Sequence, residues 1–341
     1  MIRGSFTILL LILYIHSSYQ GYAQQPFVIC NDSTFCVPGI AGMPRPKGII
    51  IQRESILRYG IVTKAINPYN RLSDRIDVKS NTRWNLKATA PLLNKKGIKI
   101  AVGLRYFVEE FNLEDIEQST NSFYRTLDDR PLKSLGATLY IMKPFKGNKY
   151  LLSRLSTSFN GDFRADEIKN SDIIRQSAAL LYGVKVSPFR SVAFGINLSN
   201  NFGSVGILPL LSYNASWNEN WLFESLLPLN AKLSYVSNSQ KNVFTSEVKL
   251  EGGNYKFFAD EGILSDDKLF LRKAEVQFSF HYEREIHDWL WFGAEIGLRV
   301  NLENEMTDTI FSRDPLLKND IKKAFLSSFS IFIVPPRKFL E

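Results

Sequence analysis

The sequence predicts an all-β fold, a transmembrane antiparallel β-barrel of about 12–14 strands behind a cleaved N-terminal signal peptide. Three observations predict it. Long segments are hydrophobic at every second position. An export signal is followed by no other apolar run of helix length. Tight turns alternate with longer, charged connections. The stretch "KAEVQFSFHYEREIHDWLWFGAEIGLRVN" (273–301) shows the first of these twice over. Val276, Phe278 and Phe280 share one face before the break at 286–288, and Phe292, Ile296 and Leu298 share one face after it.

The N-terminus sets the compartment. Arg3 precedes an apolar stretch from Phe6 to Ile15, and the small residues Gly21 and Ala23 suit a signal peptidase. Cleavage is therefore expected after Ala23, making 1–23 the signal peptide. No later run reaches the ~20 apolar residues of a membrane helix. A chain that enters lipid without such a helix must close into a barrel, because open sheet edges leave backbone polar groups unsatisfied there.

Residues 24–54 carry Pro26, Pro38, Pro44, Pro46 and several glycines, and read as an irregular periplasmic arm. Within it Cys30 and Cys36 are expected to close a small disulfide loop in an oxidising compartment. No His or further Cys stands nearby to suggest a metal. The barrel is expected over 55–335, with 336–341 as a tail.

Twelve alternating segments are clear: 83–93, 98–111, 135–145, 149–159, 173–186, 190–202, 205–217, 221–236, 242–251, 273–283, 290–301 and 326–334. Tight turns join several of them, at 94–97, 146–148, 218–220 and 286–288. Adding 55–65 and the short run 254–259 gives 14 strands and puts both termini at the periplasmic end; omitting both gives 12. A twelve-residue strand tilted by ~45° rises roughly 28 Å, close to the apolar band of an outer-membrane barrel. Trp217, Trp221, Trp289, Trp291 and Phe145 lie near turns, where an interfacial girdle would sit. The connections after Phe111, Phe159 and Asn301 are expected to be long external loops.

The opposite face of these segments carries charge. Lys99, Arg105, Arg154, Arg175, Lys232, Glu247, Glu275, His281, Glu295 and Arg299 are predicted to line the lumen. Burying so many ions in a sandwich core would cost several kcal/mol each even when paired, whereas a wet lumen solvates them. The formal charge of +8 is spread along the chain, without a basic cluster or nucleic-acid motif, which excludes nucleic acid as a partner.

No catalytic residues, cofactor or metal are expected. Ser279, His281 and Glu283 share one face, but same-face neighbours on a strand are ~6–7 Å apart, too far for a direct relay. His281 is therefore read as a lining residue. The acidic pairs between 260 and 267 match no calcium loop.

The segments "WNLKATAPLLNKKGIKIAVGLRY" and "ILPLLSYNASWNENWLFESLLPLNAKLSYV" resemble a Gram-negative outer-membrane β-barrel family defined as a domain of unknown function. The resemblance spans roughly residues 55 to 335. It implies a cell outer-membrane location and a barrel fold, and brings no catalytic residues. One departure is the C-terminus, "PPRKFLE", where many such barrels end in an aromatic residue; Phe339 stands in that region.

The resulting expectation is a non-enzymatic outer-membrane barrel, either a small-solute pore or an envelope scaffold. Its expected partners are outer-membrane lipids and lipopolysaccharide, the barrel-insertion machinery during biogenesis, and small solutes. The alternatives are an exported soluble glycan-binding β protein and a barrel hydrolase using Ser279 and His281.

Overall fold

A computed structural model describes residues 39–66, 73–95, 97–119, 121–163, 173–199, 206–258, 269–309, 312 and 314–339. The expected signal peptide, the first part of the arm and the Cys30–Cys36 pair lie outside the described residues.

The described chain is a closed antiparallel barrel of 14 staves. Its strands are β1 (Ile49–Ile56), β2 (Tyr59–Ala65), β3 (Asp74–Lys95), β4 (Ile98–Leu113), β5 (Leu132–Pro144), β6 (Lys149–Gly161), β7 (Ile174–Ser187) and β8 (Arg190–Ser199). They continue with β9 (Gly206–Ser216), β10 (Trp221–Leu227), β11 (Asn230–Val236), β12 (Asn242–Phe257), β13 (Leu269–His287), β14 (Leu290–Thr307), β15 (Leu317–Ile321) and β16 (Ala324–Ile333). Two staves are interrupted. β1 and β2 both pair with β3, and β15 and β16 both pair with β14. These two broken staves close the ring, from Ile49 opposite Ile333 at one end to Leu317 opposite Ala65 at the other.

The outward faces explain what the ring stands in. On β3 the outward positions Trp84, Leu86, Ala88, Ala90 and Leu92 are apolar, whereas Arg75 and Asp77 beyond them are charged. On β4 apolar positions run from Ile100 to Val108 and give way to Glu110, and on β14 they run from Leu290 to Val300 before Glu303 and Glu305. Each apolar stretch is about the 9–11 residues a tilted strand needs to cross a bilayer core. Leu104, Phe194, Ile296, Phe325 and Phe329 stand 58–66 % exposed on this belt, an exposure that water would not tolerate over so large a continuous area.

The longest strands outrun that belt. At 22 residues, β3 rises roughly 50 Å at ~45° tilt, about twice the apolar band. The excess lies at the distal end, away from the paired ends Ile49 and Ile333, and is filled by a hydrophobic plug. Ile61, Val78, Phe111, Tyr255, Phe257 and Met306 point inward there and are buried. The connection between β4 and β5 completes the plug with α1 (Ser122–Asp129). The Asn121 side chain caps this helix by accepting from Phe123 N at 3.0 Å, and its buried face is Phe123, Tyr124 and Leu127. Tyr124 Oη meets Thr63 Oγ1 at 2.7 Å, Thr63 donates to Asn319, and Asn319 donates to Asn304. Burial pushes the Tyr124 hydroxyl up to about 12, so it stays a neutral phenol.

Several expectations need correction. The segment 221–236 is two strands joined at Pro228–Leu229, and β12 runs unbroken through Gly252-Gly253, so the count of 14 came from two errors that cancelled. The barrel begins at Ile49 rather than residue 55. The connection after Phe111 carries α1 and packs inward, and much of the connection after Asn301 is strand. Trp291 faces the lumen, stacked on Phe332, and so is no part of an outer girdle; Trp217, Trp221 and Trp289 do stand exposed near turns.

A charge at mid-belt should be expelled from lipid. Ile296→Arg is expected to destabilise the folded barrel by about 2–4 kcal/mol and Arg75→Glu by well under 1 kcal/mol, as measured by denaturant unfolding in lipid vesicles. Equal effects at the two positions would contradict the placement of the belt.

Candidate functional site: a polar chamber in the lumen

Read from the distal end, each tall stave changes character in the same order. Apolar plug residues come first, then a buried ionic girdle, then polar residues around a void. Arg83 on β3 is the hub of the girdle. It meets Glu54 on β1 at 3.1 Å, Glu109 on β4 at 2.9 Å and Glu275 on β13 through bonds of 2.6 and 3.0 Å. Lys273 pairs with Glu109 as well, and Gln277 donates to Glu275 at 3.0 Å. β3 and β13 are four staves apart in the ring, so the girdle ties non-adjacent wall segments through the lumen. Arg83 is shared by three buried carboxylates, and among the described residues Glu54 has no other ion-pair partner, which makes Arg83 hard to replace.

The distal wall is drawn in at one further place. β10 and β11 are only seven residues each, and above their turn β12 leans across to β6. Asp162 N donates to Lys256 O at 3.2 Å and Phe258 N donates to Asp162 Oδ1 at 2.9 Å. Gly161 is required at this crossing, since a Cβ there would stand 2.8 Å from the Lys256 carbonyl oxygen. Arg175 on β7 is buried against the same strand, donating to Asn254 O at 2.9 Å and Asn254 Oδ1 at 3.1 Å.

Beneath the girdle lies a cavity of 690 Å³. Of the residues predicted to line the lumen, Arg105, Arg154, Arg175, Lys232, Glu247, Glu275, His281 and Glu295 border it. Arg299 lies in the girdle, over the Tyr59 ring at 4.4 Å and 3.8 Å from Glu275. Lys99 is buried nearer the terminal end of β4 and is outside the chamber lining. Apart from Glu109 of the girdle on β4, the acids lie on one side. Glu247 pairs with Lys232 at 3.4 Å, Glu251 with Lys249 at 3.2 Å, and Glu283 with Lys47, while Glu295 accepts from Gln52 and Ser328 at 3.1 and 2.8 Å. Facing them, β5 to β8 present Ser134, Thr138, Ser156, Ser158, Ser177 and Ser199. Lys249 and Lys273 fall on the polar face that the alternation predicts, whereas Arg83 and the hydroxyls of β5 to β7 were not among the predicted lining residues. Counting every second residue from Arg154 and Arg175 reaches Ser156, Ser158 and Ser177 and would have found much of the wall.

His281 corrects one expectation. Its Nε2 is 2.9 Å from Ser279 Oγ, so same-face spacing did not keep the two apart. The same Nε2 is also 3.1 Å from Glu247 and 3.6 Å from Glu295. A relay needs serine and carboxylate on different ring nitrogens, so this arrangement orders a polar wall and is not a triad. No group of three or more metal-ligating side chains occurs among the described residues.

The terminal mouth is crossed by residues 40–48. Ala41 N donates to Pro188 O beside β8, and Gly48 N donates to Ile333 O on the other side of the ring. Arg45 anchors the strap, reaching Asp288 O at 2.5 Å, Pro335 O at 3.0 Å and Glu285 at 3.0 Å. Arg337 grips the same two acids at 2.5 and 2.8 Å. Burial pushes the Asp288 carboxyl up, but the Arg337 N–H and the guanidiniums of Arg45 and Arg337 outweigh it and hold the carboxyl below its usual range.

No family model matches the chain, and no curated protein matches it. The resemblance drawn from the sequence therefore keeps only its general part, an outer-membrane-type barrel. Among solved structures the chain is similar to the Pseudomonas putida toluene transporter TodX, at 9% identity over 84% of this chain and 89% of that one, with a TM-score of 0.35. It is similar to an outer-membrane channel from Pseudomonas putida F1 at 11% identity over 85% and 96%, with a TM-score of 0.39. The KdgM porin aligns at 8% identity over 82% and 98%, with a TM-score of 0.32. At these scores the likenesses carry no argument about function.

Two outcomes follow from this geometry. Arg83→Met strands Glu54 and takes a partner from Glu109 and Glu275, and should cost about 3–5 kcal/mol in denaturant unfolding, with part of the loss recovered on adding Glu54→Gln; a neutral Arg83→Met would contradict the girdle. Asp288, held low in the folded state, stabilises the strap above its unfolded value of ~3.9 and loses that contribution as pH falls through the folded value. Amide protection factors at Ala41 should thus hold from neutral pH down to about 4 and fall only below it; a loss near pH 6 would contradict the clamp.

Proposed function

We propose that the protein is an outer-membrane barrel serving small polar solutes, with its lumen occluded in the conformation described. The observation that carries this reading is the chamber. Protein interiors pack to a density near 0.74, and a barrel that acts only as a strut has no need of a 690 Å³ polar void. The closed ring and the bilayer-high apolar belt support the membrane location. The ends of the described chain, residues 39 and 339, and most tight turns gather at one end, which supports a periplasmic mouth there and an external plug opposite. The arrangement around His281 supports a non-enzymatic role.

A plugged scaffold is the second reading, favoured by the ionic girdle that braces the lumen. Planar-bilayer recording separates the two. The purified barrel is expected to show brief, discrete conductance steps, and replacing residues 114–130 with a short Gly-Ser linker should lengthen them by removing α1 from the plug. If neither protein conducts while both show heat-modifiable gel mobility, the scaffold reading stands instead.

A further inference from the structure

We propose that the chamber wall from β3 to β8 binds an anionic, polyhydroxylated solute of the sugar-acid class. The inference rests on solutes reaching the chamber, as the channel reading holds, and it names what they are. Ladder register builds the site in three adjacent rungs. Lys87 stands directly opposite Arg105, and Arg105 opposite Gly136, whose missing side chain leaves space before Ser158. One rung toward the terminal end, Thr138 opposes Ser156 and Ser156 opposes Ser177, with Thr138 Oγ1 and Ser156 Oγ 3.0 Å apart. One rung further is Arg154. A row of hydroxyls thus lies between cations on both sides.

No ion pair ties down the charge on this wall, although Glu251 across the chamber acts on Lys87 and Arg105 at longer range. Among the described residues the inward positions of β5 to β8 carry no acid, and no carboxylate of a described residue lies within ion-pair distance of Lys87, Arg105 or Arg154. Arg105 donates only to Asn85, at 3.1 Å, and all three cations are exposed to the chamber. The cations on the facing wall, by contrast, are held by acids: Lys232 by Glu247, Lys249 by Glu251. Guanidiniums grip a carboxylate through paired N–H donors, and hydroxyls exchange hydrogen bonds with a sugar's hydroxyls without discriminating donor from acceptor. The Cα positions of Arg105 and Arg154 are about 13 Å apart along the strands and about 10 Å apart across them. Two extended arginine side chains close that gap to the span of one or two sugar rings, and 690 Å³ accommodates such a ligand.

Isothermal titration of the full-length folded barrel in detergent tests this, with glucuronate as the probe and glucose, acetate and inorganic phosphate as comparisons. Saturable binding of glucuronate is expected, with glucose and acetate much weaker. Arg154→Gln and Arg105→Gln should each weaken it by about tenfold or more, and Ser156→Ala by a few-fold. Arg154→Lys, which keeps the charge and loses the fork, should fall between, and Lys146→Gln in the β5–β6 turn should change nothing. Heat-modifiable mobility confirms that each variant is folded. Absence of glucuronate binding, unchanged affinity in folded Arg154→Gln, or equal affinity for glucose would overturn the cationic site. Phosphate binding as tight as glucuronate would overturn the part played by the hydroxyls. A barrel that conducts but does not bind loses this inference alone, whereas one that binds but never conducts loses the channel reading.

Discussion

Every other feature depends on the pairing of the first and last staves. In lipid an unpaired backbone N–H or carbonyl costs several kcal/mol, so a sheet with this apolar exterior is stable only if it has no edge. The rungs from Ile49–Ile333 to Ile56–Leu326 remove the edge, and Ile61–Ile321 to Ala65–Leu317 continue the seal beyond the membrane belt. Once the ring is shut, side-chain alternation does the rest. Each strand must show one set of residues to acyl chains and the other to its own interior.

What fills that interior is graded along the staves. The distal plug is a small water-soluble-type core housed in the part of the barrel that stands above the bilayer, where β3, β13 and β14 are tallest. Its inward residues are apolar because they pack on each other and on α1. The girdle below is charged but ordered, since Arg83 and its carboxylates are buried and pair with one another. Only beneath it do small side chains on β5 to β8 leave room for solvent, and there the lining divides into a self-paired acidic side and a cationic, hydroxyl-bearing side. The occlusion and the chamber are thus successive levels of one alternating pattern.

The belt and the ring were legible in the sequence because period two survives over nine to eleven residues on almost every stave. The plug was not. Register shifts between Val78 and Ser80 on β3 and between Asn301 and Glu303 on β14 move the inward face by one residue, so on these strands an alternation counted from the belt assigns the distal residues to the wrong side. The spacing of Phe123, Tyr124 and Leu127 did mark a helix face within a segment whose charges suggested open loop. Pro228 marked the β10–β11 turn, but the hydrophobic run on either side of it concealed the break. Gly252-Gly253 misled in the opposite direction, since a glycine pair can continue a strand when both neighbours supply ladder bonds. The lining charges were placed by parity alone. Their pairing was not legible, because Arg83 and Glu275 are 192 residues apart and meet only through closure.

The central claim is that lipid covers one face of each stave and water the other. Single cysteines along β4 test it most directly, in a background with Cys30 and Cys36 changed to serine and the barrel folded into vesicles. A lipid-borne quencher should reach labels at Val102, Leu104 and Tyr106, and a small water-soluble thiol reagent should reach Gly103 and Arg105, in strict alternation. Labelling without that alternation, or quenching of the odd-numbered positions by lipid, would contradict the account.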